Sequence, residues 1–396
     1  MRVLLSTIGS RGDVQPLVAL ALKLKALGHV AHVCAPPDFQ DWVQGFGLAF
    51  TPVGVSVRST AKAPAMTAPP SAEQMLQIAK ATVAGQFEAL SAAAEGHDVL
   101  VGANALQIAL RTVAELKGAR YVFASYCPVT LPSAQHAPPS WRGDATASSA
   151  QENIRLWQSD GERWNASWGA VLNEQRVSLG LQPVEDVRSH IFTERPWLAA
   201  DPVLAPWPDE DDAVFQTGAW LLPDDRPLPT DLERFLDVGD PPVYVGFGSV
   251  RAPDGAAANM IAAARAVGRR VIVLRGWADL VTPDAPDVFA VDEVNQSALF
   301  RRVSVAAHHG GAGTTTAAAL SGTPQLVMPQ LYDQPYWARR VAELGAGVAL
   351  AGSPSIQEIA AAIDTAQQQQ AHAAAQRLAG AIRKDGAERA AHALTN

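Results

Sequence analysis

The 396-residue chain is 48% hydrophobic and longer than a single core usually serves, so two domains with a cleft between them are expected. A formal net charge of −8 excludes an electrostatic grip on nucleic acid or on an anionic membrane and leaves small molecules or protein as partners. No apolar run reaches membrane-spanning length, the opening MRVLLSTIGSRGD lacks the pattern of a signal peptide, and the two cysteines, Cys34 and Cys127, are far apart, so reduced core thiols in a cytoplasmic protein are expected.

In chain order, short β-branched runs alternate with Ala/Leu-rich stretches, the pattern of parallel sheets covered by helices on both faces. RVLLST (2–7), VAHVCA (30–35), LAFTPV (48–53), DVLVGA (98–103) and ARYVFAS (119–125) are predicted strands of the first half. VYVGF (243–247), VIVLR (271–275), DVFAV (287–291), VSVAAH (303–308) and PQLVMP (324–329) are those of the second. The fold class is therefore α/β with two doubly wound, Rossmann-like domains.

Two stretches of the first half, 55–71 and 132–150, are rich in Ala, Pro, Ser and Thr and predict mobile loops, either lids over a binding site or plain disorder. Between about 197 and 242 Pro and Asp accumulate (DPVLAPWPDEDD, LLPDDRPLP), which predicts an exposed linker and places the domain boundary there. The resulting division is 1–200, a linker at 201–242, and a second domain at 243–375. The tail from Ser355 is Ala/Gln-rich and predicted helical.

The strongest chemical signal follows the strand VSVAAH. His308-His309-Gly310-Gly311-Ala312-Gly313-Thr314 reads as strand, glycine turn and helix N-terminus, where free N–H groups and the helix dipole favour an anion. A Walker lysine and the third glycine of the dinucleotide fingerprint are missing, which weakens kinase and dehydrogenase readings. Side chains alternate along a strand, so one of His308 and His309 is expected to face the ligand and the other to serve packing. After the next strand, Asp333 and Gln334 offer a carboxylate and an amide suited to adjacent sugar hydroxyls. Alternatively, Asp333 caps the helix that begins near Pro335.

HHGGAGT, the Pro-Gln-Leu-Tyr-Asp-Gln run, the opening GSRGDVQP and RPWLAADPVL…QTGAW together resemble the bacterial glycosyltransferases that decorate glycopeptide antibiotics, with sterol and macrolide glycosyltransferases as wider relatives. The resemblance implies the GT-B architecture, in which two Rossmann-like domains face each other, the first binding acceptor and the second donor. It further implies metal-independent inverting transfer from a dTDP- or UDP-sugar, which is a substrate and not a cofactor, to a hydroxyl of a small, largely apolar acceptor. By the same resemblance Ser249 is a phosphate ligand, Trp277 and the backbone at Val294 form the wall of the base site, and the loop from Gly311 through Ala312 and Gly313 to Thr314 holds the diphosphate. A C-terminal helix, 376–396, crosses back to the first domain. Ser10, Arg11 and Gly12 are counted with the donor-binding residues.

Inverting transfer needs a base for the acceptor hydroxyl. Asp13 follows the first strand at the carboxyl edge of its sheet, facing the cleft, and corresponds to the base proposed in the glycopeptide branch. The competing role is the N-cap of a helix at 14–27. An ordinary carboxylate is a weak base for an alcohol, so burial would have to raise its proton affinity, and a pairing with Arg11 would oppose that. Arg11 is expected to point to phosphate or solvent.

Asp209-Glu210-Asp211 spells a metal-binding D-x-D but lies in the linker, where a solvated turn is expected, and no His/Cys grouping has zinc spacing, so no metal is expected. Trp157, Trp164 and Trp168 share one helical face, either as core or as an aromatic wall for the acceptor. A nucleotide-sugar epimerase and a nucleotide-sugar-binding protein without turnover are the competing functions. Oligomeric state is left open.

Overall fold

The computed structural model describes the chain apart from residues 60–69, 105, 141–148, 210, 211, 251, 254, 278 and 396. Two parallel sheets form its frame. The first joins β1 (Arg2–Thr7), β2 (Val30–Ala35), β3 (Ala49–Pro52), β4 (Val99–Ala103), β5 (Arg120–Ser125), β6 (Trp197–Leu198) and β7 (Phe215–Gln216) in the order β3-β2-β1-β4-β5-β6-β7. The second joins β8 (Val243–Gly246), β9 (Val271–Leu274), β10 (Val288–Val291), β11 (Val305–His308), β12 (Gln325–Val327) and β13 (Gly347–Ala349) in the order β10-β9-β8-β11-β12-β13.

Both faces of each sheet are covered, which is why the strands read as continuous apolar runs. In the first sheet Leu4, Leu100 and Phe123 enter one core cluster while Val3, Leu5, Val99 and Val101 enter another, the alternation of a pleated strand. In the second, Val245, Val273 and Ala307 face one way and Tyr244, Ile272 and Ala306 the other.

Strand order reverses between β1 and β4 in the first sheet and between β8 and β11 in the second. Ligands of open parallel sheets bind outside the carboxyl ends of strands at such switch points. The segments brought there are the β1 exit with Asp13 and the β11 exit with the glycine loop.

The Pro/Asp-rich stretch is not an exposed linker over its first half. β6 and β7 lie there and extend the first sheet, and Leu198, Ala200, Leu204, Ala205 and Trp220 are buried. Gln216 stitches this region together: its amide donates to the carbonyls of Ala200 and Ala205, and its oxygen accepts from Trp207 N–H. Further on, the helix Thr230–Leu236 packs Leu232 and Leu236 against Tyr244 and Phe300 of the second domain. Pro and Asp interrupt regular elements without dictating exposure, and strands of two residues carry no readable period. β13, three residues at the edge of the second sheet, was not among the predicted strands.

Helix α1 (Arg11–Ala26) covers the first sheet, and two helices cover the second beside the cleft, α2 (Ala312–Leu320) and α3 (Gln334–Glu343). After a helix at Ile356–Ala366, the tail forms not one helix over 376–396 but two, α4 (Gln369–Ala381), which packs on α2, and α5 (Gly386–Thr395), which returns to α1. Ala387, Ala390, Ala391 and Leu394 of α5 are buried in the core of the first domain. Asp201 accepts from the Arg383 N–H at 2.8 Å, and Arg340 donates to the Leu204 carbonyl at 3.0 Å, so both domains are tied at the crossover.

Residues 60–69 and 141–148 of the two low-complexity segments and, of the D-x-D, Glu210 and Asp211 lie outside the described residues. Trp157 is buried and its indole N–H donates to the His136 carbonyl, while Trp164 packs edge-on against Phe192. Cys34 and Cys127 are both buried free thiols. Among the described residues no helix is long and apolar enough to cross a membrane.

Candidate active site

The β1 exit builds the first half of the site. Helix α1 begins at Arg11, three residues earlier than expected, and its N-cap is Ser10. Asp13 is therefore not the cap. It is the third helical residue and closes a capping box, its Oδ2 accepting from the Ser10 backbone N–H at 2.7 Å and from the Ser10 hydroxyl at 3.3 Å. Its Oδ1 accepts from the side-chain amide of Asn104, which stands one residue beyond β4. The Tyr126 hydroxyl donates to the Asp13 carbonyl at 3.0 Å. Burial raises the proton affinity of Asp13, opposed by the bonds from Ser10 and Asn104.

Arg11 does not pair with Asp13. Its guanidinium lies 3.5 Å over the Trp42 ring and bridges the cleft to Glu293 at 2.9 Å. Glu293 also meets Arg226, which is clamped on Asp224. Gly12 is exposed on the first turn of α1.

The β11 exit builds the second half. His308 is fully buried: Nδ1 accepts from the Gly310 N–H at 3.0 Å, so the proton sits on Nε2, which donates to the Gln325 side-chain oxygen at 2.9 Å. Both ring nitrogens are thus committed inside the protein. The ring of His309 instead lies between the two turns that end β8 and β11, beside Gly248 and Gly311 and near the Gly246 backbone. Burial lowers His308 to about 3 and His309 to about 4, so both are neutral at pH 7.

Gly310 takes φ +90°, which turns the chain back toward the cleft, and Gly311 is the N-cap of α2. Ala312, Gly313 and Thr314 form the first helical turn, whose N–H groups have no carbonyl within the helix to bond. Thr315 and Thr316 return their hydroxyls to the carbonyls of Gly311 and Ala312.

Asp333 occupies the N-cap position of α3 but its carboxylate makes no cap bond; Oδ2 accepts from the Trp337 indole N–H at 2.9 Å. Burial pushes this carboxyl up to about 6, and Asp13, facing it from the first domain, adds to the rise. Gln334 behaves differently from its neighbour. Its side-chain oxygen accepts from the N–H groups of Gln330 and Leu331, holding the β12 exit loop, and so is not free for a sugar hydroxyl.

Ser249 stands half-buried in the turn beyond β8. The Trp277 N–H donates to the Gly248 carbonyl, and its ring lies 6.1 Å from that of Phe39 in the first domain. The Val294 side chain is buried in the second core, while Asn295 caps the next helix and donates to the carbonyls of Asp224 and Arg226. Among the described residues no three His, Cys, Asp or Glu side chains gather in a way that could hold a metal ion.

Asn104 and Tyr126 were missed by sequence reasoning. Asn104 does directly follow a predicted strand, and the carboxyl end of a parallel strand was the signal that could have found it.

Residues 3–134 match the glycosyltransferase family 28 N-terminal domain, and residues 255–389 match the C-terminal domain of erythromycin biosynthesis protein CIII-like proteins. The chain is 50% identical over 398 residues to glycosyltransferase GtfE of Amycolatopsis orientalis, covering 100% of this chain and 97% of the relative. It is 47% identical over 399 residues to the vancomycin aglycone glucosyltransferase of that organism, with the same coverage, and 44% identical over 376 residues to its dTDP-epi-vancosaminyltransferase, covering 92% and 90%. Among solved structures, the spinosyn forosaminyltransferase SpnP has a TM-score of 0.72 at 19% identity, covering 100% of this chain and 98% of that one. The glycosyltransferase VinC in complex with dTDP has a TM-score of 0.69 at 22% identity, covering 100% and 99%.

Proposed function

Because the chain belongs to the glycosyltransferase family of these Amycolatopsis relatives, with their GT-B architecture, we propose that it moves a hexose or deoxyhexose from a dTDP- or UDP-sugar to a hydroxyl of a small, largely apolar natural product, with inversion and without a metal. One observation carries this reading: a half-buried carboxylate with no cation paired to it among the described residues, Asp13, is close enough across the cleft to raise the proton affinity of Asp333.

In this reading Asp13 removes the proton of the acceptor hydroxyl as its oxygen attacks the anomeric carbon from the face opposite the diphosphate, which gives inversion. The leaving diphosphate is met by the N–H groups of Ala312, Gly313 and Thr314, by the dipole of α2, and by His309 and Ser249. These donors supply the electrostatic stabilisation that a metal supplies elsewhere, which supports metal-independent transfer. Asp333, at the mouth of the second domain, grips the sugar; Gln334 supports it by shaping the loop. His308 acts inside the protein, through its bonds to the Gly310 N–H and to Gln325.

Two relatives support the open choice of donor base, one named for a dTDP-sugar and one solved with dTDP, while a third is named a glucosyltransferase. Calorimetric titration with UDP and dTDP in excess chelator tests the reading. Micromolar binding of either, undiminished by chelator, supports it and names the base. Binding of neither, or binding only after a divalent cation is restored, overturns it.

A further inference from the structure

A carboxylate offers about four lone-pair sites. On Asp13 the two of Oδ2 are taken by the backbone N–H and the hydroxyl of Ser10, at 2.7 and 3.3 Å, and one of Oδ1 by the amide of Asn104. The Asp13 N–H also bears on the carboxyl, and among the described residues Oδ2 carries two donors from Ser10 against one from Asn104 on Oδ1, so Oδ1 is the more open oxygen. We propose that Asn104 is a positioning residue that fixes the Asp13 carboxyl so that Oδ1 is the atom receiving the acceptor proton. The proposal rests on Asp13 being the base.

The fold places Asn104 for this task. β1 pairs with β4 to the last residue of each, Thr7 opposite Ala103, so Asn104 emerges beside the turn that leads into α1. Its N–H continues the ladder to the Ala124 carbonyl at 3.0 Å, and its φ of +63° swings the side chain sideways over the β1 exit. Asn is among the few residues other than Gly that adopt this left-handed conformation readily. The Ser10 contacts are local, three residues away, and hold only Oδ2; the Asn104 contact arrives from 91 residues away and fixes the rotation of the carboxyl.

The other groups facing Asp13 do not substitute for this bond. Tyr126 bonds the backbone carbonyl of Asp13 and not its carboxylate, the charges of Asp333 and Tyr332 act on it from the second domain, and Arg11 is turned to Glu293. During transfer the acceptor O–H bond breaks and its proton passes to Oδ1. The oxygen's electron pair forms the new bond to the anomeric carbon, whose bond to the diphosphate breaks with its pair leaving on phosphate. A donor on the ionised carboxylate lowers its proton affinity and so offsets burial, keeping the base ionised near neutrality.

The test follows the Asp13 carboxyl directly by ¹³C NMR in protein labelled at the Asp carboxyl carbon, with the signal identified by its loss in Asp13→Asn. Asn104→Gly keeps the left-handed backbone and removes the donor, and Asn104→Asp sets a second carboxyl against the first. The Asp13 midpoint is expected to rise by about one pH unit in Asn104→Gly and further in Asn104→Asp, where the two carboxyls share a proton. The acid limb of kcat, measured with a UDP- or dTDP-sugar and vancomycin aglycone as probe acceptor, moves with it, while binding of the nucleoside diphosphate changes less than about twofold. An unchanged Asp13 midpoint in both variants overturns the role of Asn104. Full transfer by Asp13→Asn would instead overturn the base itself, a separate failure.

Discussion

Gly9 lies directly beneath the carboxyl group of Asp13: a Cβ built on Gly9 would collide with Oδ2 and Cγ of that side chain. The capping box folds the Asp13 carboxylate back over the β1 exit to meet the Ser10 N–H, and only a residue without a side chain leaves room for it. Gly9→Ala therefore either expels the carboxylate from its bonds or strains the turn. We expect a loss of about 1–3 kcal/mol in stability together with a fall in turnover, read by thermal melting and steady-state kinetics.

Asp13→Asn keeps the shape of the side chain and its contact with Asn104 while abolishing its basicity. Turnover is expected to fall by about 10²- to 10⁴-fold, the usual contribution of a positioned base, with donor affinity unchanged by calorimetry. A fall in donor affinity with unchanged kcat would place Asp13 in binding instead.

The two neighbouring histidines should separate cleanly. His309→Ala is expected to weaken nucleoside diphosphate binding by about tenfold, the loss of one good hydrogen bond to a charged group, and, because the ring is buried between two turns, to lower the melting temperature as well. His308→Ala leaves Gln325 and the Gly310 N–H without their buried partner, costing about 2–4 kcal/mol of stability. Equal effects on binding from both variants would contradict the assignment.

Acid should destabilise the fold through the same pair. Their folded pKa values, about 3 for His308 and about 4 for His309, lie below the ordinary value of 6.5. The unfolded chain takes up protons first, so their contribution is complete above pH 6.5 and is lost progressively as pH falls toward those folded values. Urea midpoints measured from pH 7 to pH 4 should fall, and the fall should be shallower in His308→Asn.

The Arg11–Glu293 bridge joins the domains, yet Glu293 keeps more than half of its side chain in solvent. Glu293→Gln is expected to change stability by less than about 1 kcal/mol, as exposed ion pairs do. The stacking of Arg11 on Trp42 survives that change, so Arg11→Ala should cost more than Glu293→Gln in the same melting experiment.

What the chain determined by itself is what is encoded locally. Buried parallel strands need unbroken β-branched runs, and a tight turn from strand into helix needs glycines, so ten of the thirteen described strands, the two-domain α/β class and the strand-turn-helix at His308 to Thr314 were legible, as was the position of Asp13 beyond the first strand. What the tertiary structure alone decided depends on partners distant in sequence. Gln325 and Gly310 claim both ring nitrogens of His308 while His309 packs beside Gly248 and Gly311, Glu293 draws Arg11 away from Asp13, and Asn104 reaches the carboxylate from another strand. The Pro/Asp-rich stretch shows the same limit from the other side: β6 and β7 exist because the edge of the first sheet offers them hydrogen bonds, and two residues carry no pattern that could announce it. Side-chain direction and edge-strand pairing are settled by which surfaces meet after folding, and no local propensity contains that information.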